Sequence, residues 1–274
     1  MRTYCKFDGV LMSSMKSGST WLAALLQDHS KIKIHQGQKF IINESGIFSH
    51  TNQIDSCKVN LLRSNLKTDI AYLKSFQNSN ANMKFVTLLR NPIDRAYSHY
   101  KHKIRKYQVI NRNDLLEADF IKPTRSGLFH KTYDFNKDIQ TLKQRGTPFP
   151  EYIQKSLFYE CLFPYFEVFG IEAFFINCIE EVSRNPSKLI TEISKHFGVT
   201  EKASDAGMSG TVINKESFKA DSDGLLKRKV TIVPPTPETI GTLTEIMQSD
   251  IVRLDSALGT NYASLWFANG GMSK

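Results

Sequence analysis

The chain is short of cysteine, of long apolar runs and of acidic charge, and each shortage excludes a class of protein. Cys5, Cys57, Cys161 and Cys178 are its four cysteines, scattered without metal-ligand spacing. Neither a disulfide framework nor a zinc module can be built from them, and a reduced compartment fits them best. No apolar run approaches a membrane span, and the first residues lack the apolar core of a signal peptide. Asp and Glu number 27 against 36 Lys and Arg, leaving a net charge of +9. That excess admits three partners: nucleic acid, an anionic acceptor, or a highly charged nucleotide. The basic residues are spread along the chain, with local clusters at Lys101–Lys106 and Lys227-Arg228-Lys229. No zinc-finger spacing or RNA-recognition aromatic motif accompanies them, so general nucleic-acid binding is the weaker account. What remains is ample: 274 residues, 41% hydrophobic, suffice for one large α/β domain with a substantial core.

The organising stretch is Met12-Ser13-Ser14-Met15-Lys16-Ser17-Gly18-Ser19-Thr20-Trp21-Leu22. An apolar run from Gly9 to Met12 stops at a small polar turn, and a helical pattern starts at Ser19. Strand, tight turn and helix together aim free backbone N–H groups and a helix dipole at an anion. Lys16 adds a mobile positive charge, and Ser17, Ser19 and Thr20 add hydroxyl donors. Gly18 lets the backbone approach a bound group closely. The bland alternative is a polar strand-to-helix turn. A nucleoside-triphosphate P-loop is excluded by order, because that pattern places its glycines ahead of a Lys-Ser/Thr pair. Here the Lys precedes the only Gly by two residues.

A second stretch, Leu89-Arg90-Asn91-Pro92-Ile93-Asp94-Arg95-Ala96-Tyr97-Ser98-His99-Tyr100, repeats the geometry. A buried strand over Lys84–Arg90 ends in Arg, Asn91 can cap the next helix, and Pro92 suits its first turn. Arg90 thereby points into the crevice where α/β sheets bind ligands, and its planar fork suits a phosphate dianion. Ser98 can add one more donor, and by helical spacing it shares a polar face with Asp94 and Lys101. An ordinary junction with Arg90 paired to Asp94 is the alternative.

Lys-Ser-Gly-Ser-Thr-Trp-Leu resembles the 5′-phosphosulfate loop of the sulfotransferase family, with Met15 where the family usually has Pro. Arg-Asn-Pro-x-Asp-Arg-x-x-Ser-x-Tyr resembles that family's 3′-phosphate motif. Ile179-Glu180-Glu181-Val182 followed by Asn185-Pro186, and Trp266 near the end, agree less sharply. The resemblance covers roughly Val10 to Trp266. It implies an α/β, doubly wound, P-loop-like fold with central parallel strands. It also implies an enzyme that uses 3′-phosphoadenosine 5′-phosphosulfate (PAPS) as sulfuryl donor and releases adenosine 3′,5′-bisphosphate. The expected donor contacts are Lys16, Ser17, Gly18, Ser19, Thr20, Trp21, Arg90, Ser98 and the basic run Lys227, Arg228, Lys229. No metal is expected, since Lys, Arg and the helix dipole meet the charge of the departing nucleotide. Golgi members of the family carry an apolar anchor, so a cytoplasmic enzyme is expected here. Its acceptor is expected to be a hydroxyl, of a carbohydrate or another aliphatic alcohol.

The base that takes the acceptor's proton is the open point. Where glycan- or lipid-type members carry Glu, this chain has His35-Gln36-Gly37-Gln38, and neither Gln can act as a base. His35 can, with an ordinary pKa near 6.5, if strand two runs beside strand one and opens onto the same crevice. Glu44 in the following loop is the second candidate. His50, His99, His102 and His130 rank below them. A nucleic-acid-binding protein and a catalytically idle nucleotide binder are the alternatives to an enzyme.

Periodicity supplies the rest. It predicts helices over Ser19–Asp28, Leu61–Phe76, Ile153–Phe169 and Pro237–Leu258, one opened by Pro92, and one opened by Asn185-Pro186 and ended by Gly198. Short strands are expected at Lys31–His35 and Ala173–Ile179. Gln36–Cys57 reads as an irregular loop. Residues 110–150 and 207–233 read as excursions on the substrate and donor side of one domain spanning residues 1–274.

Overall fold

The computed structural model describes residues 8–27, 29, 31–36, 40–43, 46–49, 59–65, 70, 73, 83–110, 131–145, 148–199 and 230–268. In chain order its first elements are β1 (Gly9–Ser13), α1 (Ser19–Gln27), β2 (Ile32–Gln36), β3 (Phe40–Asn43), β4 (Gly46–Ser49), β5 (Val59–Asn65) and β6 (Lys84–Leu89). Next come α2 (Pro92–Ile110), β7 (Lys131–Asp134), α3 (Phe135–Arg145), α4 (Glu151–Gln154) and α5 (Phe158–Phe169). The last are β8 (Phe174–Cys178), α6 (Ile179–Val182), α7 (Pro186–His196), β9 (Val230–Val233), α8 (Pro237–Leu258) and α9 (Tyr262–Phe267). The chain divides into two compact units, Met1–Asn91 with Phe158–Asn214 and Pro92–Leu157 with Lys215–Lys274. Among the described residues no helix is long and apolar enough to cross a membrane.

The first unit is built on a five-stranded sheet in the order β2-β5-β1-β6-β8, parallel throughout. Its strands read as near-continuous apolar runs because both faces are covered. On one face Leu11, Leu61, Val86 and Leu88 pack against Leu22, Leu25 and Leu26 of α1 and Leu189, Ile190 and Ile193 of α7. On the other, Phe85 stacks on Phe174 and meets Phe169 of α5, with ring centroids 4.5 and 4.8 Å apart. This is the doubly wound α/β architecture that the sequence implies. A separate antiparallel hairpin pairs β3 with β4.

In the second unit, α2 buries Ile93, Ala96, Tyr100 and Ile104 with Phe135 and Ile139 of α3, Tyr152 and Ile153 of α4, and Leu243 and Met247 of α8. A two-stranded parallel ribbon joins β7 to β9. Helix α8 has the predicted bounds, because its ends are written in the chain: Thr236 accepts from the Thr239 N–H at 3.3 Å, and Gly259 takes a left-handed φ of 68°. Asn185 caps α7 in the same way, accepting from the Lys188 N–H at 3.0 Å.

Four local expectations need correction. Residues 59–65 form a strand, although Ile70 and Leu73 further along are helical. The spacing of Leu62, Leu66, Ile70 and Leu73 runs through a strand end that happens to be in phase with it. The expected irregular loop over Gln36–Cys57 holds the β3–β4 hairpin. The helix expected over Ile153–Phe169 is two, with a break at residues 155–157 where the Ser156 hydroxyl donates to the Pro92 carbonyl at 2.8 Å. Asp94, expected on a polar face with Ser98 and Lys101, is buried, while Ser98 and Lys101 are half-buried.

Candidate active site

The strand order reverses at β1: the chain adds β5 and β2 on one side of it and β6 and β8 on the other. In an open α/β sheet, ligands bind outside the carboxyl ends of the strands at such a reversal. The turn after β1 and Arg90 after β6 both lie there, on neighbouring strands, since Ser13 is level with Leu88.

The turn itself is tightly wound. The Ser17 N–H donates to the Ser14 carbonyl at 3.2 Å, and the Leu22 N–H donates to the Gly18 carbonyl at 2.9 Å as α1 begins. Lys16 sits at a φ of 72° and Gly18 at 82°. A lysine in the left-handed region is strained by about 1 kcal/mol or more, a cost that clusters at functional sites. Gly18 suits this φ, and a Cβ there would also overlap Cδ1 of Ile179, so that this terminal methyl would have to shift. The close approach that the glycine permits is therefore to α6. The Ser17 side chain is 0% exposed, and its Oγ has no hydrogen-bond partner among the described residues. A buried hydroxyl without a partner costs about 1–3 kcal/mol, and this one lies in a turn at the start of a helix.

Ser19 is half-buried and Thr20 exposed, whereas Trp21 packs against the hydrophobic cluster under α1. Arg90 is half-buried at the end of β6. The Asn91 N–H beyond it donates to Oε1 of Glu180 at 2.8 Å. Ser98 lies in the second turn of α2, within the second unit. Glu44, Lys227, Arg228 and Lys229 lie outside the described residues, as do His50 and His130.

His35 does not stand where the argument for it requires. β5, not β2, is the neighbour of β1, so the premise that strand two runs beside strand one is corrected. His35 is level with Leu62 of β5, which is level with Val10 of β1, three residues before the strand ends. Two strand spacings put it about 10 Å to the side of β1. The side chain is 2% exposed and lies on the sheet face opposite α1.

The misread strand also hid a cation. Arg63 of β5 reaches the first turn of α1, donating from its guanidinium to the Thr20 Oγ1 at 3.0 Å. Burial lowers its pKa from the ordinary value, yet an arginine so shifted stays charged. The alternation of β5 was the available signal: Leu61 faces α1, so Arg63 two residues on shares that face. The turn thus has Lys16, Arg63 and a helix N-terminus, with Arg90 on the adjacent strand.

A family model described as a sulfotransferase domain matches residues 7–206. Among solved structures, a sulfotransferase from Alicyclobacillus acidocaldarius is similar at 17% identity with a TM-score of 0.58, covering 94% of this chain and 97% of that one. A mouse sulfotransferase complexed with PAP is similar at 14% identity and a TM-score of 0.43, covering 74% of this chain and 62% of that one. No curated protein matches the chain significantly.

Proposed function

We infer, from a chain that belongs to the sulfotransferase family, that this enzyme moves a sulfuryl group from PAPS to an acceptor hydroxyl, with the turn after β1 holding the donor's 5′ end and Arg90 its 3′-phosphate. The observation that carries the reading is the adjacency of that turn and Arg90 at the carboxyl ends of β1 and β6. The turn's N–H groups, Ser17, Ser19 and Thr20 hold the 5′-phosphate, and Gly18 keeps the turn closed. Lys16 neutralises charge on the oxygen that bridged phosphorus and sulfur as that S–O bond breaks and the acceptor O–S bond forms. Ser98 joins Arg90 on the strength of the sequence motif. The basic run Lys227-Arg228-Lys229 is assigned to the donor by its charge.

The acceptor's proton needs a base. His35 and Glu44 are the candidates this chain offers, and the burial of His35 within β2 favours testing Glu44 first. The acceptor is proposed to be a carbohydrate or other aliphatic alcohol, in line with the basic net charge. In-line transfer of this kind uses the chain's own cations and does not call for a metal. Melting temperature tests the donor: adenosine 3′,5′-bisphosphate should raise it markedly more than AMP or ATP, with or without magnesium. Equal shifts for AMP and the bisphosphate would remove the role given to Arg90. Binding that weakens steeply with salt and ignores the 3′-phosphate would instead fit a nucleic-acid partner. Labelled donor offered to a panel of glycans, lipids and phenols identifies the acceptor, and no transfer to any of them would leave an idle nucleotide binder.

A further inference from the structure

Helix α6 is four residues long and follows directly from β8, yet it touches both phosphate-binding elements of the first unit. Its first residue, Ile179, lies so close to Gly18 that any side chain there would collide with it. Its second, Glu180, accepts the Asn91 N–H at 2.8 Å, one residue beyond Arg90. Its last, Val182, is buried in the cluster beneath α1 and α7, which fixes the helix to the core of the sheet. Leu89 is level with Cys178, so the ends of β6 and β8 leave the sheet side by side and place Glu180 against the chain that carries Arg90.

We propose that Ile179 and Glu180 are positioning residues, Ile179 for the phosphate turn and Glu180 for Arg90, and that the register Glu180 gives Arg90 selects a 3′,5′-bisphosphorylated nucleotide over a 5′-monophosphate. Neither side chain touches the nucleotide. Ile179 limits how far the turn can open at Gly18. The Glu180 carboxylate holds the backbone that leads from Arg90 into Pro92, through a charge-assisted hydrogen bond of the stronger kind. A guanidinium gains from a phosphate only when its fork arrives in register, so loosening its backbone removes the 3′ contribution first. The inference rests on the donor reading given above.

The test compares the affinities of AMP and adenosine 3′,5′-bisphosphate by calorimetry for the wild type, Glu180→Ala, Glu180→Gln, Ile179→Ala and Arg90→Ala. Glu180→Ala should weaken the bisphosphate about tenfold and AMP less than about twofold, the size expected for one such bond. Glu180→Gln keeps an acceptor oxygen without the charge and should recover part of the loss and of the preference. Ile179→Ala should weaken both nucleotides by a similar factor, because the turn serves the 5′-phosphate that they share. Equal loss of both nucleotides in Glu180→Ala, or no loss of either, overturns the proposal, as does failure of Gln to restore preference. A wild type that binds the two nucleotides equally overturns the donor reading and this inference with it. Preference lost in Arg90→Ala but kept in Glu180→Ala overturns the inference alone. Should Glu180→Ala not fold, Glu180→Asp withdraws the carboxylate by one methylene and is read against the same outcomes.

Discussion

In the second unit the buried amide of Asn136 has all its polar capacity in use. Its Nδ2 donates to Asp134 Oδ1 at 3.1 Å and to the Pro234 carbonyl at 3.0 Å. Its Oδ1 accepts from the Thr236 N–H at 2.8 Å and from the Thr239 hydroxyl at 2.7 Å. In the first unit, Ser17 is buried more deeply still, and its hydroxyl has no partner among the described residues. The network ties β7 and α3 to the start of α8, and its central amide has no donor or acceptor left to offer. The open hydroxyl stands beside a left-handed lysine at the start of a helix. The difference separates two uses of buried polarity. Satisfied groups specify a fold, and an unsatisfied one in a strained turn is what the proposed donor site calls for.

The strongest way to break that contrast is at Lys16. Lys16→Ala should lower kcat by about a hundred- to a thousandfold, the effect of removing one preorganised charge from a leaving oxygen. Bisphosphate affinity should change far less, and Arg90→Ala should show the opposite emphasis. Lys16→Gly sharpens the comparison, since glycine relieves a φ of 72°. Its melting temperature should rise while turnover is lost. A fall in both would mean that the strain at Lys16 serves folding rather than chemistry.

Next in size is Gly18→Ala, where a left-handed φ and the collision with Ile179 combine. The expected loss is about 1–3 kcal/mol of stability by chemical denaturation, most of it from the backbone. A near-neutral result would show that α6 gives way easily and that the turn is looser than its geometry. The contrast itself is tested by pairing Asn136→Ala with Ser17→Ala. Asn136→Ala should cost about 2–3 kcal/mol, because it leaves several buried partners unmet, with nucleotide affinity unchanged. Ser17→Ala should leave stability equal or slightly higher and weaken nucleotide binding. Reversed outcomes would reverse the assignment of the two groups.

How much of this could be read from the chain depended on what each element needs from its neighbours. The turn from Ser14 to Gly18, the β6–Arg90 junction and the full span of α8 were legible because their signals are local: a cap, a proline, a glycine, a run of spacing. The order of the sheet was not. The seven residues of β5 carry two adjacent leucines, Leu61 and Leu62, and only burial on both faces separates that from a helical stretch. Missing β5 misplaced β2, and through it His35, while hiding Arg63. The contact between Gly18 and Ile179 joins residues far apart in sequence, and no local pattern announces it. Asp94 is buried because of its tertiary setting, against the helical spacing that put it outside.

The smallest effect at neutral pH is expected at His99, which tests the second unit by its exception. His99 on α2 is buried, and its Nδ1 has no partner among the described residues. Burial pushes its pKa down to about 3, and the positive charges of Arg95, Lys155 and Lys103 act in the same direction, opposed by Glu151. Arg95 is held in place by donating from Nε to the Ser156 Oγ at 2.8 Å and from its guanidinium to the Tyr152 carbonyl. The folded protein therefore keeps this imidazole neutral down to acid pH, while the unfolded chain takes up a proton near pH 6.5. Stability from this group is complete above about pH 6.5 and is lost as the pH falls toward 3, because the unfolded state binds the extra proton. Glu151 is held at about 2 by hydrogen bonds first from Lys103 and then from Lys155. Its own contribution is complete above the ordinary carboxylate range and is lost as the pH falls through that range toward 2. His99→Gln should thus match the wild type's melting temperature near pH 7.5 and exceed it increasingly between pH 6 and 5, before the contribution of Glu151 is lost. Parallel melting curves for the two proteins across that window would show that His99 is protonated in the fold. The second unit would then hold an open, titrating group after all, and the contrast with Ser17 would fail.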